Sequence, residues 1–308
     1  MSLRIIFLGT AGGVPTPKRG LPAVLLQRKD EQFLFDCGEG AQRQMMIAKA
    51  GFHKKTKVFI THMHGDHVLG LPGLLQTMAM LDREKKLDIY GPPGIKSFLE
   101  AVKETVQFVL TFPVEIHEIA KAGTICDERE YMVGTAWSKH AIRSVAYAFI
   151  EKPRPGRFFP EKAKALEIPE GPLWSKLQQG NKIKLPNGRI VKPQDVIGRP
   201  RPGRKIVYVG DTTPFKALAK FAANADLLIH DSTLADELEE RAETYGHSTS
   251  TQAARDAKKA RVKQLILTHI SSRYGDPDVL LKQAKKIFKN TVVAEDFMKL
   301  EIPLPDEE

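Results

Sequence analysis

The amino-acid sequence predicts a layered α/β fold. Short apolar runs typical of strands alternate with stretches typical of helices on both sides of a central segment. Polar residues follow several of these strand-like runs, and functional sites in α/β sheets gather at such strand ends. The composition of the 308-residue chain, 42% hydrophobic and 27% charged, excludes the disordered, collagen-like and coiled-coil classes.

The predicted strands and helices form two groups along the chain. The strand-like runs are RIIFLG, AVLLQ, FLFDCG, KVFITH and LDIYG in the first group and KIVYVGD, DLLIHDS and QLILTHI in the second. The helical stretches are EGAQRQMMIAKAG, LGLPGLLQTMAMLDREKK and GIKSFLEAVKETVQFVL in the first group and STSTQAARDAKKARV and PDVLLKQAKKIF in the second. Residues 112–150 alternate in a way that predicts antiparallel strands. Met45, Met46, Met78 and Met80 are expected on helix faces that point to the core.

The central segment, residues 151–205, carries nearly all of the excess positive charge. The chain has 47 Lys and Arg against 37 Asp and Glu, a net charge of +10, and this segment alone has 14 against 5, a net charge of +9. Nine of the twenty prolines and six glycines lie here and interrupt regular elements, so we expect an inserted arm within a single domain of residues 1–308. Phe158, Phe159 and Trp174 favour a surface that binds an anionic polymer over a plain linker, which remains the alternative.

The number of cysteines and the lengths of the apolar segments indicate the cellular compartment. Cys37 and Cys126 are too few for a disulfide framework, which favours a reducing compartment, and Cys37 is expected to be a small packing residue. The first residues lack the long apolar core and cleavage site of a signal peptide, and no apolar run approaches membrane-spanning length. We therefore expect a cytoplasmic protein without a membrane partner.

The strongest local motif is Thr-His-Met-His-Gly-Asp-His at residues 61–67. His62 and His64 are two residues apart, so in an extended loop both side chains can point to one side and share a metal ion. Asp66 and His67 follow Gly65, which allows a turn that brings them toward a second ion. Imidazole and carboxylate ligands suit zinc or a similar divalent ion, and burial of so many polar groups without a metal would leave several unpaired.

The pattern H-x-H-x-D-H after a strand resembles the signature of the metallo-β-lactamase superfamily. The segments FDCGEG at 35–40, GDT at 210–212 and THIS at 268–271 and an isolated His140 follow the same order along the chain. This resemblance implies an αββα sandwich with two Zn²⁺ ions per subunit, with Mn²⁺ left open. The implied ligands are His62, His64 and His140 for one ion and Asp66, His67 and His269 for the other, with Asp211 between them. The resemblance further implies that Asp66 orients or deprotonates the attacking water and that Asp36 holds the ligand loop.

Three further features resemble the ribonuclease Z family. They are FLGTAGGVPTPKRG near the start, the basic arm between the His140 and Asp211 segments, and the pair HDST at 230–233 and HST at 247–249. The resemblance implies a zinc-dependent endoribonuclease that removes the 3′ trailer of precursor tRNA by metal-hydroxide attack and leaves a tRNA 3′-hydroxyl. It also implies a homodimer, an arm that binds tRNA through an element matching Gly171 and Pro172, and a loop with Lys18 and Arg19 beside the acceptor end.

The resemblance assigns leaving-group protonation to His247 paired with Asp231. The family often has His-Glu-Ala-Thr where this chain has His-Asp-Ser-Thr, and aspartate is one methylene shorter. In the alternative interpretation, His247 has no role in protonation and only precedes a helix that is capped by Ser248 or Thr249. Ser271 and Arg273 are expected at the scissile phosphate, unless Arg273 only pairs with Asp276. His53, His117 and His230 are expected to be structural.

Two other functions remain compatible with these motifs. One is a phosphodiesterase or ester hydrolase of the same fold that acts on small molecules, against which the basic arm argues. The other is a metal-stabilised RNA-binding protein without catalysis, against which the intact Asp66, His67 and Asp211 argue.

Overall fold

The structure is a computed structural model that describes residues 2–305. The strands are β1 Leu3–Gly9, β2 Ala11–Gly12, β3 Ala23–Arg28, β4 Glu31–Phe35, β5 Lys55–Phe59, β6 Leu87–Gly91, β7 Val114–Glu118, β8 Thr124–Asp127, β9 Tyr131–Trp137, β10 Val145–Glu151, β11 Ile183–Lys184, β12 Ile190–Val191, β13 Lys205–Val209, β14 Leu227–Asp231, β15 Gln264–Thr268, β16 Ile270–Ser271, β17 Thr291–Val293 and β18 Lys299–Glu301. The helices are α1 Ala41–Ile47, α2 Gly65–Val68, α3 Gly70–Met80, α4 Ile95–Val106, α5 Pro160–Ala165, α6 Pro172–Gln178, α7 Pro193–Val196, α8 Leu218–Phe221, α9 Glu239–Thr244, α10 Ser250–Ala260 and α11 Asp278–Ile287. A 3₁₀ turn at Asp236–Leu238 precedes α9.

Two compact units divide the chain. The first, called the body here, comprises Met1–Glu128, Met132–Ile150 and Lys205–Pro303. The second, called the arm, comprises Glu151–Arg204 together with Arg129–Tyr131 and, of the described C-terminal residues, 304–305. Among the described residues, none of the helices combines the length and apolar composition needed to traverse a lipid bilayer.

Two seven-stranded sheets form the centre of the body and confirm the predicted α/β class. The first has the order β18-β1-β3-β4-β5-β6-β7, and the second has the order β17-β15-β14-β13-β10-β9-β8. Each contains four neighbouring parallel strands, β4 to β7 in the first and β13, β14, β15 and β17 in the second. The prediction of antiparallel strands in residues 112–150 is wrong for β7, which pairs parallel to β6 because α4 carries the chain back across the sheet.

Aromatic side chains fill the space between the two sheets. Phe33 lies 4.8 Å from Phe149, and Phe59 lies 5.3 Å from Tyr147, between ring centres. The other face of the first sheet packs against α1, α3 and α4, and that of the second packs against α8, α10 and α11. The layers therefore follow the order helix, sheet, sheet, helix.

The methionine prediction is only half correct. Met45 and Met78 are buried in the core between the first sheet and its helices. Met46 and Met80 are instead 58% and 84% exposed.

Cys37 is fully buried beside Asp36, and burial raises the pKa of its thiol, in agreement with a packing role.

The arm has a small apolar core of its own. Its fully or nearly buried members are Ala163, Ile168, Leu177, Ile183, Leu185, Val191 and Val196. The Phe158 and Trp174 rings, 5.1 Å apart, pack on this core, and Trp174 Nε1 donates a hydrogen bond of 3.1 Å to the Ile168 carbonyl. These two aromatics therefore stabilise the arm internally. Gly171 adopts φ 111° directly before α6, and both Gly171 and Pro172 are exposed.

Candidate metal centre

The predicted ligands lie where parallel strands of both sheets end. His62 follows β5 in the first sheet, and Asp211 and His269 follow β13 and β15 in the second. Asp66 and His67 lie on the single turn of α2, and His140 lies in the loop between β9 and β10. Because the two sheets pack face to face, their strand ends bring these side chains together.

The first group of ligand atoms belongs to His62, His64, His140 and Asp211, all within 4.8 Å of one another. His64 Nδ1 lies 3.1 Å from His62 Nε2 and 3.1 Å from His140 Nε2. Asp211 Oδ2 lies 3.6 Å from His62 Nε2 and 3.9 Å from His140 Nε2. Three imidazole nitrogens and one carboxylate oxygen thus converge on one point, which is the ligand set of a tetrahedral zinc site.

The second group belongs to Asp66, His67, His269 and again Asp211. Asp211 Oδ1 lies 3.2 Å from His67 Nε2 and 3.1 Å from His269 Nε2. Asp66 Oδ2 lies 3.4 Å from each of the same two nitrogens. Asp211 therefore turns one oxygen toward each group, the arrangement expected of a bridging carboxylate.

The donor set fits two divalent cations. Asp211 is 2% exposed, and its Oδ1 atom makes no well-aligned hydrogen bond although two imidazole nitrogens lie within 3.2 Å of it. A buried carboxylate oxygen without a partner is costly, and a cation between the converging atoms would satisfy it. Burial lowers the pKa of His62 and His64, which favours the neutral imidazole that metal binding requires.

The ring nitrogens that face away from the two groups have their own partners. His62 Nδ1 lies 2.9 Å from Thr61 Oγ1, and His140 Nδ1 lies 2.8 Å from the Gly246 carbonyl. His269 Nδ1 lies 2.8 Å from Thr233 Oγ1. Such partners fix the ring orientation and direct Nε2 toward the metal position.

Asp36 lies behind the ligands, as the resemblance implies. Its Oδ2 atom lies 2.8 Å from His67 Nδ1 and accepts a hydrogen bond of 2.8 Å from the Tyr208 hydroxyl. Its Oδ1 atom accepts a hydrogen bond of 2.7 Å from the Thr61 backbone. Asp36 therefore joins the ligand loop to both sheets.

Two glycines allow the backbone to approach the ligands. A Cβ atom at Gly12 would lie 2.6 Å from His269 Nδ1, and a Cβ atom at Gly246 would lie 2.6 Å from His140 Nδ1. Gly246 also has φ 77°, which disfavours other residues. Next to Gly12, the Gly13 backbone donates a hydrogen bond of 3.0 Å to Asp66 Oδ2. The N-terminal loop thus forms one wall of the centre.

His247 and Asp231 lie beside the ligands and contact each other. Asp231 is fully buried, and its Oδ2 atom lies 3.1 Å from His247 Nδ1. Asp231 also accepts hydrogen bonds from the backbone of Thr212, Thr233 and Ser248. Burial lowers the pKa of His247, but the charge and hydrogen bond of Asp231 outweigh it and raise that pKa to about 9. The shorter aspartate side chain therefore reaches the imidazole, while Thr249 separately caps α10.

The predicted substrate-contact residues differ in their surroundings. Lys18 is exposed, whereas the Arg19 guanidinium donates hydrogen bonds of 2.7 Å to Thr10 Oγ1 and 2.6 Å to the Ala294 carbonyl. Arg19 therefore holds its loop to the body, and its contact with RNA stays a prediction. Arg273 Nε donates to Ser271 Oγ at 3.1 Å, and among the described residues Arg273 makes no ion pair with Asp276.

The sequence reasoning missed the partners that orient the ligands. Thr233 contacts both His269 and Asp231, and its Oγ1 donates a hydrogen bond of 2.6 Å to Asp231 Oδ1. Tyr208 and the Gly246 carbonyl were missed as well. Thr233 lies in the HDST motif, so its spacing from Asp231 was an available signal. A backbone carbonyl such as that of Gly246 leaves no signal in residue type.

Comparison with known proteins identifies similar chains. The protein named Ribonuclease Z from Methanosarcina acetivorans is 50% identical over 302 residues, which cover 98% of each chain. A solved structure described as human tRNase Z, short form, is 31% identical with a TM-score of 0.73 and covers 98% of this chain and 100% of that one. The metallo-β-lactamase fold protein YhfI from Bacillus subtilis has a TM-score of 0.69 at 20% identity, covering 98% and 100% of the two chains.

Two family descriptions match parts of the sequence. The description "Anti-Pycsar protein Apyc1" matches residues 3–133, and "Beta-lactamase superfamily domain" matches residues 189–270. Together with the solved structures, these matches confirm the predicted metallo-β-lactamase fold of the chain.

Proposed function

This chain belongs to the ribonuclease Z family and is a hydrolytic endoribonuclease, and from this premise we propose that it removes the 3′ trailer from precursor tRNA. The observation that carries the proposal is the pair of ligand groups that share Asp211. Cleavage leaves a 3′-hydroxyl on the tRNA. The excess charge of the arm supports a polyanionic substrate over a small molecule.

Two zinc ions are the cofactors that the ligand groups suit best. His62, His64 and His140 would hold one, Asp66, His67 and His269 would hold the other, and Asp211 would contact both. When bound, the ions would supply a lowered pKa for the attacking water and stabilisation of negative charge on the phosphoryl oxygens.

The chain's own residues orient the attacking water and the scissile phosphate. Asp66 is held at Oδ2 by the Gly13 backbone, so its position is fixed before the substrate arrives. From that position it orients the water and accepts its proton. Ser271 and Arg273, which follow the His269 strand end, contact the phosphate.

His247 protonates the departing ribose oxygen. Its Nδ1 atom is held by Asp231, which leaves Nε2 for the substrate. The five hydrogen bonds to the Asp231 carboxylate keep that group charged and in place. The side chain of His247 is 16% exposed, so Nε2 can reach a bound phosphodiester.

The arm binds tRNA, and the body cleaves it. Ten of its cationic side chains are exposed, namely Arg129, Arg157, Lys162, Lys164, Lys176, Lys182, Lys184, Arg189, Lys192 and Arg199. Gly171 and Pro172 begin α6 on the exposed surface of this unit and contact the tRNA elbow. In the body, Lys18 contacts the acceptor end.

The cytoplasmic enzyme forms a homodimer. The solvent side of α1 and α3 exposes apolar side chains at Met46, Ile47, Leu69, Met80 and Leu81. An apolar surface of this kind suits a self-complementary contact with a second copy. Light scattering of the unaltered chain and of Met80→Glu tests this, since the variant should be monomeric.

Cleavage of a 5′-labelled precursor tRNA, with and without a chelator, tests the function. We expect one cut at the junction of the acceptor stem and trailer, loss of cutting with the chelator, and recovery with added Zn²⁺. Turnover of a chromogenic phosphodiester is measured in parallel. Fast turnover of the small diester with no cutting of the precursor would instead favour the small-molecule phosphodiesterase.

A further inference from the structure

An open groove lies on the body beside the metal ligand His140. It has a volume of about 530 Å³ and is lined by Ala120 and by residues of the loop between β9 and β10, among them Trp137, Lys139, Ile142, Arg143 and Ser144. This volume lies within the range of about 300–1,000 Å³ typical of small-molecule sites. The metal chemistry described above uses none of these residues except His140.

The groove presents an indole ring, with the Arg143 guanidinium over one of its faces, and two exposed cations. The Arg143 guanidinium lies 5.5 Å from the centre of the Trp137 ring. Lys139 and Arg143 are exposed, and within residues 2–305 neither side chain forms an ion pair. An indole beside unpaired cations can stack on a base and neutralise a phosphate of a single-stranded nucleic acid.

Two hydroxyl groups in the groove lack partners. The Oγ atoms of Ser138 and Ser144 are buried without a hydrogen-bond partner, and Ser144 is only 1% exposed. Both oxygens are enclosed by protein atoms, so the groove offers its indole ring and exposed cations to a ligand, and not these hydroxyls.

The loop that carries the groove is held rigidly. The Ser138 backbone donates to the Ser144 carbonyl at 3.1 Å, and the Thr213 backbone donates to the Lys139 carbonyl at 2.8 Å. His140 is fixed in turn by the Gly246 carbonyl. A ligand in the groove is therefore positioned relative to the metal centre.

The groove and the N-terminal loop adjoin different ligand groups. The groove contains His140, which belongs only to the first group. The N-terminal loop contacts Asp66 and His269, which belong only to the second group. A strand that contacts both the loop and the groove would therefore pass both ligand groups.

We propose that this groove binds the first nucleotides of the 3′ trailer, on the far side of the scissile phosphate from the acceptor end. The inference rests on the proposed function, which places the acceptor end at Lys18. Trp137 stacks on a trailer base, and Lys139 and Arg143 neutralise trailer phosphates.

Binding of precursor and mature tRNA by matched variants tests the groove. Trp137→Ala and Arg143→Ala should each weaken precursor binding about tenfold, the loss that removal of one stacking platform produces. Mature tRNA has no trailer, so its affinity should not change, and neither should turnover of the chromogenic diester. Trp137→Phe keeps an aromatic face and should restore most of the affinity. Lys103→Ala on α4, also an exposed cation of the body, is the control and should have no effect.

Photocrosslinking identifies the strand in the groove. A 4-thiouridine in the first trailer position should crosslink to residues 137–144, and one in the last acceptor position should not. Crosslinking of the acceptor position to these residues, or equal weakening of precursor and mature tRNA binding, would overturn the assignment. A failure of the unaltered enzyme to cut any precursor would overturn the proposed function itself, and the groove assignment with it.

Discussion

The metal centre and the basic arm use charged side chains in opposite ways. In the centre, His62, His67 and Asp211 are almost fully buried, and each lies within 4 Å of several other polar groups. In the arm, cations such as Lys182 and Lys184 are exposed and lie on a small apolar core. Chemistry requires groups whose positions are fixed before the substrate arrives, whereas capture of a polyanion requires charge that reaches into solvent. Substitutions in the metal centre should therefore reduce cleavage without reducing tRNA binding, and changes in the arm should reduce binding without reducing the chemistry.

Substitution of the shared carboxylate should have the largest effect. Asp211→Ala removes an oxygen from both ligand groups, so we expect both metal occupancy and cleavage to fall, cleavage by roughly 10³-fold or more. Binding of tRNA should persist because the arm is unchanged. Metal content by elemental analysis, single-turnover cleavage and filter binding measure the three quantities. Glu104→Ala, which removes an exposed carboxylate on α4, is the control. Equal loss of binding and cleavage would show that the two regions are not independent.

Removal of His247 should slow only reactions that need a proton on the leaving group. His247→Ala should reduce precursor cleavage by about 10²- to 10⁴-fold, the usual contribution of a general acid. Turnover of a p-nitrophenyl phosphodiester should change little, since nitrophenolate leaves without protonation. Asp231→Asn should reproduce this pattern more weakly because it releases His247 Nδ1. A similar loss with both substrates would instead indicate that His247 supports the metal centre.

Deletion of the arm should separate binding from chemistry. Ile150 pairs with Lys205 at the end of the β10–β13 ladder, and the Glu151 backbone donates to the Arg204 carbonyl at 2.9 Å. Residues 153–203 can therefore be replaced by Asn-Gly, which together with Lys152 forms a three-residue turn between the paired Glu151 and Arg204. Precursor cleavage at low concentration should fall about a hundredfold through weaker binding, and diester turnover should remain. Loss of diester turnover in a folded, metal-loaded variant would contradict a separate binding unit.

The sequence allowed the grouping of the predicted ligands to be anticipated, but not the contacts that hold them in place. The convergence of the predicted ligands followed from the sequence because His62, Asp211 and His269 lie within three residues of the ends of apolar strands, and strand ends converge in this class of fold. The exposure of Met46 and Met80 was not predictable, since helical spacing does not say which face a neighbouring helix covers. The hydrogen bond from Arg19 to the Ala294 carbonyl, 275 residues away along the chain, was not predictable either. Contacts between distant segments depend on the fold and leave no local pattern.

The smallest effect should come from two lysines in the arm. Lys182 and Lys184 flank Ile183, whose side chain is buried in the arm core, so both lysines point to the opposite, exposed face of β11. Replacing both with alanine leaves that core intact and removes two cations. Affinity for tRNA should then fall about tenfold, and the slope of log K against log salt should decrease by about two if each lysine contacts one phosphate. Lys96→Ala combined with Lys103→Ala on α4 removes the same charge from the body and should leave the slope unchanged. An equal change in both double variants would mean that overall charge, and not the arm surface, attracts the RNA.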